Sequence, residues 1–255
     1  VTAERASLHP ITREAPPLGS RAIIGQRWSH VSFLHWRIDR ADAERALPPG
    51  LQADEFDGSS WIGLICFRLS GSAPFAGPPI PYFGTFPEVN VRLYTRDSQG
   101  RRGVWFASLE ASRLAAVLAA QAAFGLPYRW AAMSITEGAG VLRYTSRRRG
   151  ATDATADVSV RPSSAAVDDE RARFLTARWG MHTYRGGELT WHANVHQPWT
   201  LVEAELLDCE HGLFHAAGIM GVRPGPPESV LYGAPVDARF ARGIRTPPLS
   251  QAGPL

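Results

Sequence analysis

The stretch Glu88-Val89-Asn90-Val91-Arg92-Leu93-Tyr94 decides how the chain is read. Successive side chains of a β-strand point to opposite faces, so Val89, Val91 and Leu93 form an apolar face while Glu88, Asn90, Arg92 and Tyr94 form a polar one. Neighbours on one face stand roughly 7 Å apart, so Asn90 separates the Glu88 carboxyl from the Arg92 guanidinium and the two do not merge into one ion pair. Two readings fit this pattern. A solvent-facing strand of an antiparallel sheet alternates in this way, and so does a strand of a closed barrel whose polar face lines a lumen for a small ligand.

The flanking sequence bears on the choice. Ser72 to Pro87 is rich in proline and glycine, which predicts a long loop before the strand, of the kind that often serves as a lid or binding segment. Its aromatics, with Tyr82, Phe83 and Phe86 read as exposed, could cap a pocket or meet a partner. Beyond the strand, Asp97-Ser98-Gln99-Gly100 predicts a hairpin to Gly103–Glu110, on which Phe106, Ser108 and Glu110 would share a face. Two adjacent strands would then each offer a carboxylate, Glu88 and Glu110, for acid/base work.

The rest of the chain is strand-rich. Trp28–Ile38 and Trp61–Leu69 read as strands, the second following an Asp57-Gly58 turn, with a short helix over Ala41–Leu47 between them. Ser112 is expected to cap a helix that ends at Gly125 before Pro127. Gly140–Ser146 and Thr155–Arg161 read as a hairpin around Arg147-Arg148-Arg149, a turn expected to be solvated. Val167–Trp179 reads as a helix, and Tyr184–Val195, Thr200–Asp208 and Ser229–Phe240 as further strands. The expected organisation is a flexible arm over residues 1–20, a single domain over 21–245 and a flexible tail over 246–255.

Composition excludes several classes of function. All 27 basic residues are arginine and they are scattered, against 24 acidic residues, so no dense basic face for nucleic acid is expected. The longest mostly apolar stretch, Leu114–Leu126, is too short to cross a membrane, and Val1–Ser20 lacks a signal-peptide core, so a cytoplasmic protein with no membrane partner is expected. Cys66 and Cys209 read as reduced, buried residues. His192 and His196 would lie about 13 Å apart on a strand, too far to share one metal ion, and no metal or cofactor is expected. His35 and His196, each beside aromatic residues, read as packed histidines. The G-x-S-x-G, H-E-x-x-H, G-x-x-x-x-G-K-[ST] and strand-following G-x-G-x-x-G signatures do not occur.

As an ordered set, Phe33-Leu34-His35-Trp36-Arg37, Leu47-Pro48-Pro49-Gly50-Leu51, Phe56-Asp57-Gly58, Glu88-Val89-Asn90-Val91-Arg92, Ser108-Leu109-Glu110-Ala111, Leu126-Pro127-Tyr128 and His196-Gln197-Pro198-Trp199 resemble the YqjF-like family of unknown function, within the acetoacetate decarboxylase-like superfamily. The resemblance covers roughly residues 26–232. It implies an α+β fold, a cone-like antiparallel β-barrel with a few flanking helices and a ligand cavity inside. It also matches Glu88 to the family's carboxylate, and Tyr128 and Arg129, after Pro127, to its lysine pair. The chain contains no lysine, so the Schiff base that this chemistry needs cannot form on a side-chain amine. The expected site therefore has Glu88, Tyr128 and Arg129 as acid/base and oxyanion groups, with Asn90, Arg92, Tyr94, Ser108, Glu110 and His35 as substrate-binding residues. Cofactor-independent lyase, dehydratase, isomerase or cyclase chemistry on a small carbonyl or carboxylate compound is one reading. A non-catalytic ligand-binding or interaction protein is the other, and either is compatible with a homo-oligomer.

Overall fold

The computed structural model describes residues 7–75 and 77–247. In chain order the elements are β1 (Ala22–Ile38), α1 (Arg40–Arg45), β2 (Leu51–Ala53), β3 (Glu55–Phe56), β4 (Ser59–Pro74), β5 (Phe86–Asp97), β6 (Arg102–Ala111), α2 (Leu114–Phe124), β7 (Tyr128–Gly138), β8 (Val141–Arg148) and β9 (Thr155–Val167). They continue with α3 (Glu170–Thr176), β10 (Gly180–Arg185), β11 (Glu188–Val195), β12 (Leu201–His211), α4 (Leu213–Ala216), β13 (Ser229–Gly233), β14 (Val236–Ala241) and β15 (Ile244–Arg245). The chain is thus mostly β-sheet with a few helices, and no described helix is long and apolar enough to cross a membrane.

The strands pair in the order β10-β11-β14-β1-β13-β12-β9-β8-β7-β6-β5-β4-β3, and two further pairings, β1 with β4 and β10 with β6, return this path on itself. One circuit runs β1-β13-β12-β9-β8-β7-β6-β5-β4, and the other runs β10-β11-β14-β1-β4-β5-β6. Strands β1, β4, β5 and β6 belong to both and form a wall buried on its two faces. This explains the near-continuous apolar run from Trp61 to Leu69, since a strand with no solvent face has no reason to alternate. On one side of the wall Leu34, Ile62, Leu64, Val89, Val91 and Leu93 pack with Tyr144, Val158 and Val160 into a filled apolar core. On the other side Val31, Phe33, Ile65 and Phe67 meet Val117 of α2, while Tyr94 meets Phe174 and Leu175 of α3.

Several elements differ from the sequence reading. The single strand expected at Tyr184–Val195 is instead the end of β10, a turn at Gly186 and Gly187, both with positive φ, and β11. Ser229–Phe240 is two strands, and the unforeseen β7 runs parallel to β6, as β10 also does, so the sheet is not purely antiparallel. The helix expected over Val167–Trp179 shrinks to α3, because Val167 pairs with Leu201 at its start and the Trp179 carbonyl takes the Asn194 amide at its end. Ser112 does not cap α2; Arg113 holds the cap position without a side-chain bond, while Gly125 ends the helix with φ 66° as expected. The described loop residues are confined to the stretch between Pro74 and Phe86, because β4 and β5 extend into the expected loop; Phe86 is buried rather than exposed, although Tyr82 and Phe83 are exposed. Cys66 is buried, but Cys209 is only partly so.

Residues 7–20 carry no helix or strand, yet they are held to the domain: the His9 amide donates to the Gly100 carbonyl at 2.9 Å and the Trp179 indole to the Thr12 carbonyl at 2.9 Å. At the other end the Thr246 amide donates to Leu189 at 2.8 Å. The remaining residues of the expected arm and tail, 1–6 and 248–255, lie outside the described residues.

Candidate functional site

A cavity of about 140 Å³ opens on the polar face of β5, between the shared wall, α2, α3 and β11. An engineered cavity of about 150 Å³ admits benzene, which sets the scale of a fitting ligand. Glu88, Asn90 and Arg92 line it from β5, as the alternation predicts under the lumen reading, and Tyr128 lines it from the start of β7. Most of the remaining wall is apolar or aromatic, including Trp28, Phe33, Phe106 and Trp199.

Tyr128 reaches Glu88 because the parallel pairing sets Tyr128 against Leu109 while Glu88 pairs with the neighbouring Ala111. Its hydroxyl donates to Glu88 Oε2 at 2.8 Å, and the Asn90 amide donates to Oε1 at 3.5 Å. Burial of Glu88, 3% exposed, pushes its carboxyl up to about 7, against the pull of those two hydrogen bonds. Burial, and then the Glu88 charge, holds the Tyr128 phenol well above its usual range. Glu88 makes no ion pair among the described residues; it is a carboxyl that can both hold and release a proton near neutrality.

At the other end of the polar row, Arg92 donates from Nε to the Tyr94 hydroxyl at 3.1 Å and from Nη2 to the Leu175 carbonyl at 2.8 Å. Tyr94 stands behind the cavity wall rather than on it: its hydroxyl donates to Leu175 at 2.8 Å and lies 2.6 Å from His35 Nε2. His35 is fully buried, and burial, with Arg92 and Arg171 nearby, keeps it well below its usual pKa and therefore neutral. Neither side chain lines the cavity: Tyr94 accepts from Arg92, and His35 is bonded to Tyr94 behind it.

Three expected site residues are elsewhere. A bulge at Ala107, where Val91 pairs with Ser108 but Arg92 with Phe106, reverses the alternation of β6, so Phe106 lines the cavity while Ser108 and Glu110 face the filled core. Glu110 there accepts from Arg148 Nη2 at 2.6 Å, so the second carboxylate is spent on an internal ion pair. The same pair draws the middle arginine of the triplet inward, and Arg149 stacks on Trp130 at 4.3 Å, so the expected solvated turn is partly tied down. Arg129 follows Tyr128 by one residue on a strand, points the opposite way and is exposed.

The sequence reading missed Arg178, Asn194 and Trp28, which line the cavity, and took cavity-lining His196 as packed only. Arg178 is 4% exposed; it pairs with Asp54 at 2.6 Å and donates to the Phe174 carbonyl at 2.7 Å. One signal could have found it: a charge directly after the uncharged run Phe174-Leu175-Thr176-Ala177 and before Trp179, which needs a partner if buried. Burial drops His196 to about 4, so it is neutral. No three His, Cys, Asp or Glu side chains gather as a metal site among the described residues.

The two sheet circuits, sharing one wall with the cavity against it, define a protein of the acetoacetate decarboxylase-like fold. Solved structures of that fold agree over nearly the whole chain: an acetoacetate decarboxylase-like enzyme from Sphingomonas wittichii RW1 (TM-score 0.62, 15% identity, 90% of this chain and 94% of that one) and acetoacetate decarboxylase from Legionella pneumophila (0.63, 14%, 92% of each). The enduracididine biosynthesis enzyme MppR, solved with pyruvate, matches with a TM-score of 0.60 at 14% identity over 89% of this chain and 91% of that one. At such identities the likeness is one of fold. The chain itself belongs to the DUF2071 family, described as an uncharacterized conserved protein, whose model matches residues 25–237. It is 33% identical over 186 residues to the uncharacterized protein YqjF of Bacillus subtilis (strain 168), covering 72% of this chain and 76% of that one.

Proposed function

We propose that this chain is a cytoplasmic, single-domain protein that binds a small carbonyl- or carboxylate-containing molecule inside a cone-like barrel. It acts there by proton transfer, without a cofactor or a Schiff base. The observation that carries this reading is the 2.8 Å hydrogen bond from Tyr128 to Glu88 inside an apolar cavity, on a carboxyl raised to about 7. A base of that pKa can take a proton from carbon beside a carbonyl and return it at a second position, the common step of isomerases, dehydratases and cyclases. MppR binds pyruvate in a related fold, which supports a ligand of that size. Arg129 has no part in this reading, because it is exposed.

The test is hydrogen–deuterium exchange at the α-carbon of a panel of small oxo acids and ketones in D₂O, followed by proton NMR. Wild-type protein should accelerate exchange of at least one member, and Glu88→Gln should slow it by about 100-fold or more. A second reading, ligand binding without turnover, is favoured by the engagement of both Glu88 oxygens with Tyr128 and Asn90. Binding of a panel member with no exchange above buffer, unchanged in Glu88→Gln, selects it.

A further inference from the structure

A second cavity, of about 350 Å³, lies between the segment 9–20 and the sheet residues at the start of β6, along β11 and at the end of β14. The segment has no helix or strand, but Pro10, Pro16 and Pro17 fix φ at three of its positions. It is also pinned: the His9 amide donates to Gly100, the Trp179 indole to the Thr12 carbonyl, and Arg13 pairs with Asp168 at 3.0 Å. Between these anchors and the start of β1 at Ala22 the chain arches over the sheet, and the space beneath the arch is open.

The opposite wall presents indole rings. Trp191 lies across the backbone of β6 and β10, where a Cβ at Gly103 or at Gly180 would run into its ring, so glycine at both positions lets the indole lie down. Trp179 lines the same cavity, and its ring packs 4.6 Å from that of His196, which lines the inner one. Asn194 lines both, so a single layer of side chains divides the two cavities.

The charge around the second cavity is one-sided. Arg101, Arg102 and Arg242 line it, and no Asp or Glu does. Arg101 engages Asp97, and Arg102 engages Asp54, through Nε and Nη2, which leaves Nη1 of each without a partner among the described residues. Asp54 also serves Arg178, and Arg242 is exposed and forms no ion pair among the described residues. Four guanidinium groups thus stand against two carboxylates.

We propose that this second cavity is a binding site for an aromatic anion. The ring lies against Trp179 and Trp191 under the proline arch, where its apolar faces leave water. The anionic group is taken by Arg242 with Nη1 of Arg101 and Arg102, since hydrogen bonds between two charged groups are the strong ones. The site stands apart from the inner cavity and holds whether that cavity is catalytic or only binds.

The test is isothermal titration of the wild-type chain with 2-naphthoate and with its neutral amide, 2-naphthamide. Naphthoate should bind about tenfold or more tighter than the amide. Arg242→Met, a change at an exposed residue, should lower that preference by about threefold or more. Ala193→Phe, which fills the second cavity, should abolish naphthoate binding, whereas Leu109→Trp, which fills the inner one, should leave it within about twofold of wild type. Equal affinity for acid and amide, or a preference unchanged in Arg242→Met, overturns the anion site. Binding lost in folded Leu109→Trp but kept in folded Ala193→Phe puts the ligand in the inner cavity and overturns the second site. So does an absence of binding to folded wild type at about 1 mM naphthoate.

Discussion

Replacing Glu88 by glutamine should stabilise the chain at high pH and not at low pH. In the folded chain the carboxyl keeps its proton up to about pH 7, whereas its ordinary value is 4.5. That difference corresponds to about 3 kcal/mol of preference for the neutral form. Between the two values the folded chain binds more protons than the unfolded one, so stability falls as pH rises. The contribution of the neutral carboxyl is thus fully present below about pH 4.5, is lost as pH rises, and is gone above about pH 7. Glutamine keeps an acceptor for Tyr128 and does not titrate. Urea unfolding of both proteins between about pH 4.5 and pH 8 should therefore give a stability difference that grows by about 3 kcal/mol in favour of Glu88→Gln, with all other titrating groups cancelling. A difference that stays flat within about 0.5 kcal/mol across that range would refute the claim that Glu88 is held neutral by burial.

Tyr128→Phe removes the hydrogen bond that favours ionised Glu88, so the Glu88 carboxyl should titrate above about 7, read by carbon NMR of labelled glutamate. Borohydride with acetoacetate should trap no adduct on the wild-type chain, which has no lysine, whereas Tyr128→Lys should gain the reduced adduct mass on the peptide carrying residue 128. Asp54→Asn strips the carboxylate shared by Arg102 and Arg178, one of them only 2% exposed at its side chain, and should cost about 3 kcal/mol or more in urea unfolding.

The sequence made β5 legible because its two faces differ in kind, and it placed Glu88, Asn90 and Arg92 on one wall. It could not say that both faces are buried: a polar row reads alike whether it meets water or a cavity, and only the pairings of β1 with β4 and β10 with β6 decide between them. Period-two reasoning failed on β6 for a local reason. One extra residue at Ala107 reverses every side chain before it, and an alanine between Phe106 and Ser108 carries no mark of a bulge. Arg178 showed only as a charge beside an apolar run, and its counter-ion Asp54, 124 residues away, carried no sequence signal. The Tyr128 position, by contrast, came from the family motif, and the parallel β6–β7 pairing that delivers it to Glu88 had no sequence signal of its own.

A phenol rather than an amine next to Glu88 bears on more than the lack of a nucleophile. A lysine ammonium beside a buried carboxyl would hold it ionised, because an opposite charge at contact distance offsets the cost of desolvation. Tyr128 offers only a neutral donor, so desolvation prevails and the carboxyl rises to about 7. With a phenol and no amine beside it, Glu88 is a titrating group poised at neutral pH rather than a fixed charge. The positive charge that remains sits at Arg92 and Arg178, further along the polar row. Positive charge and the titrating carboxyl, which a lysine beside Glu88 would bring together, are separated along one strand.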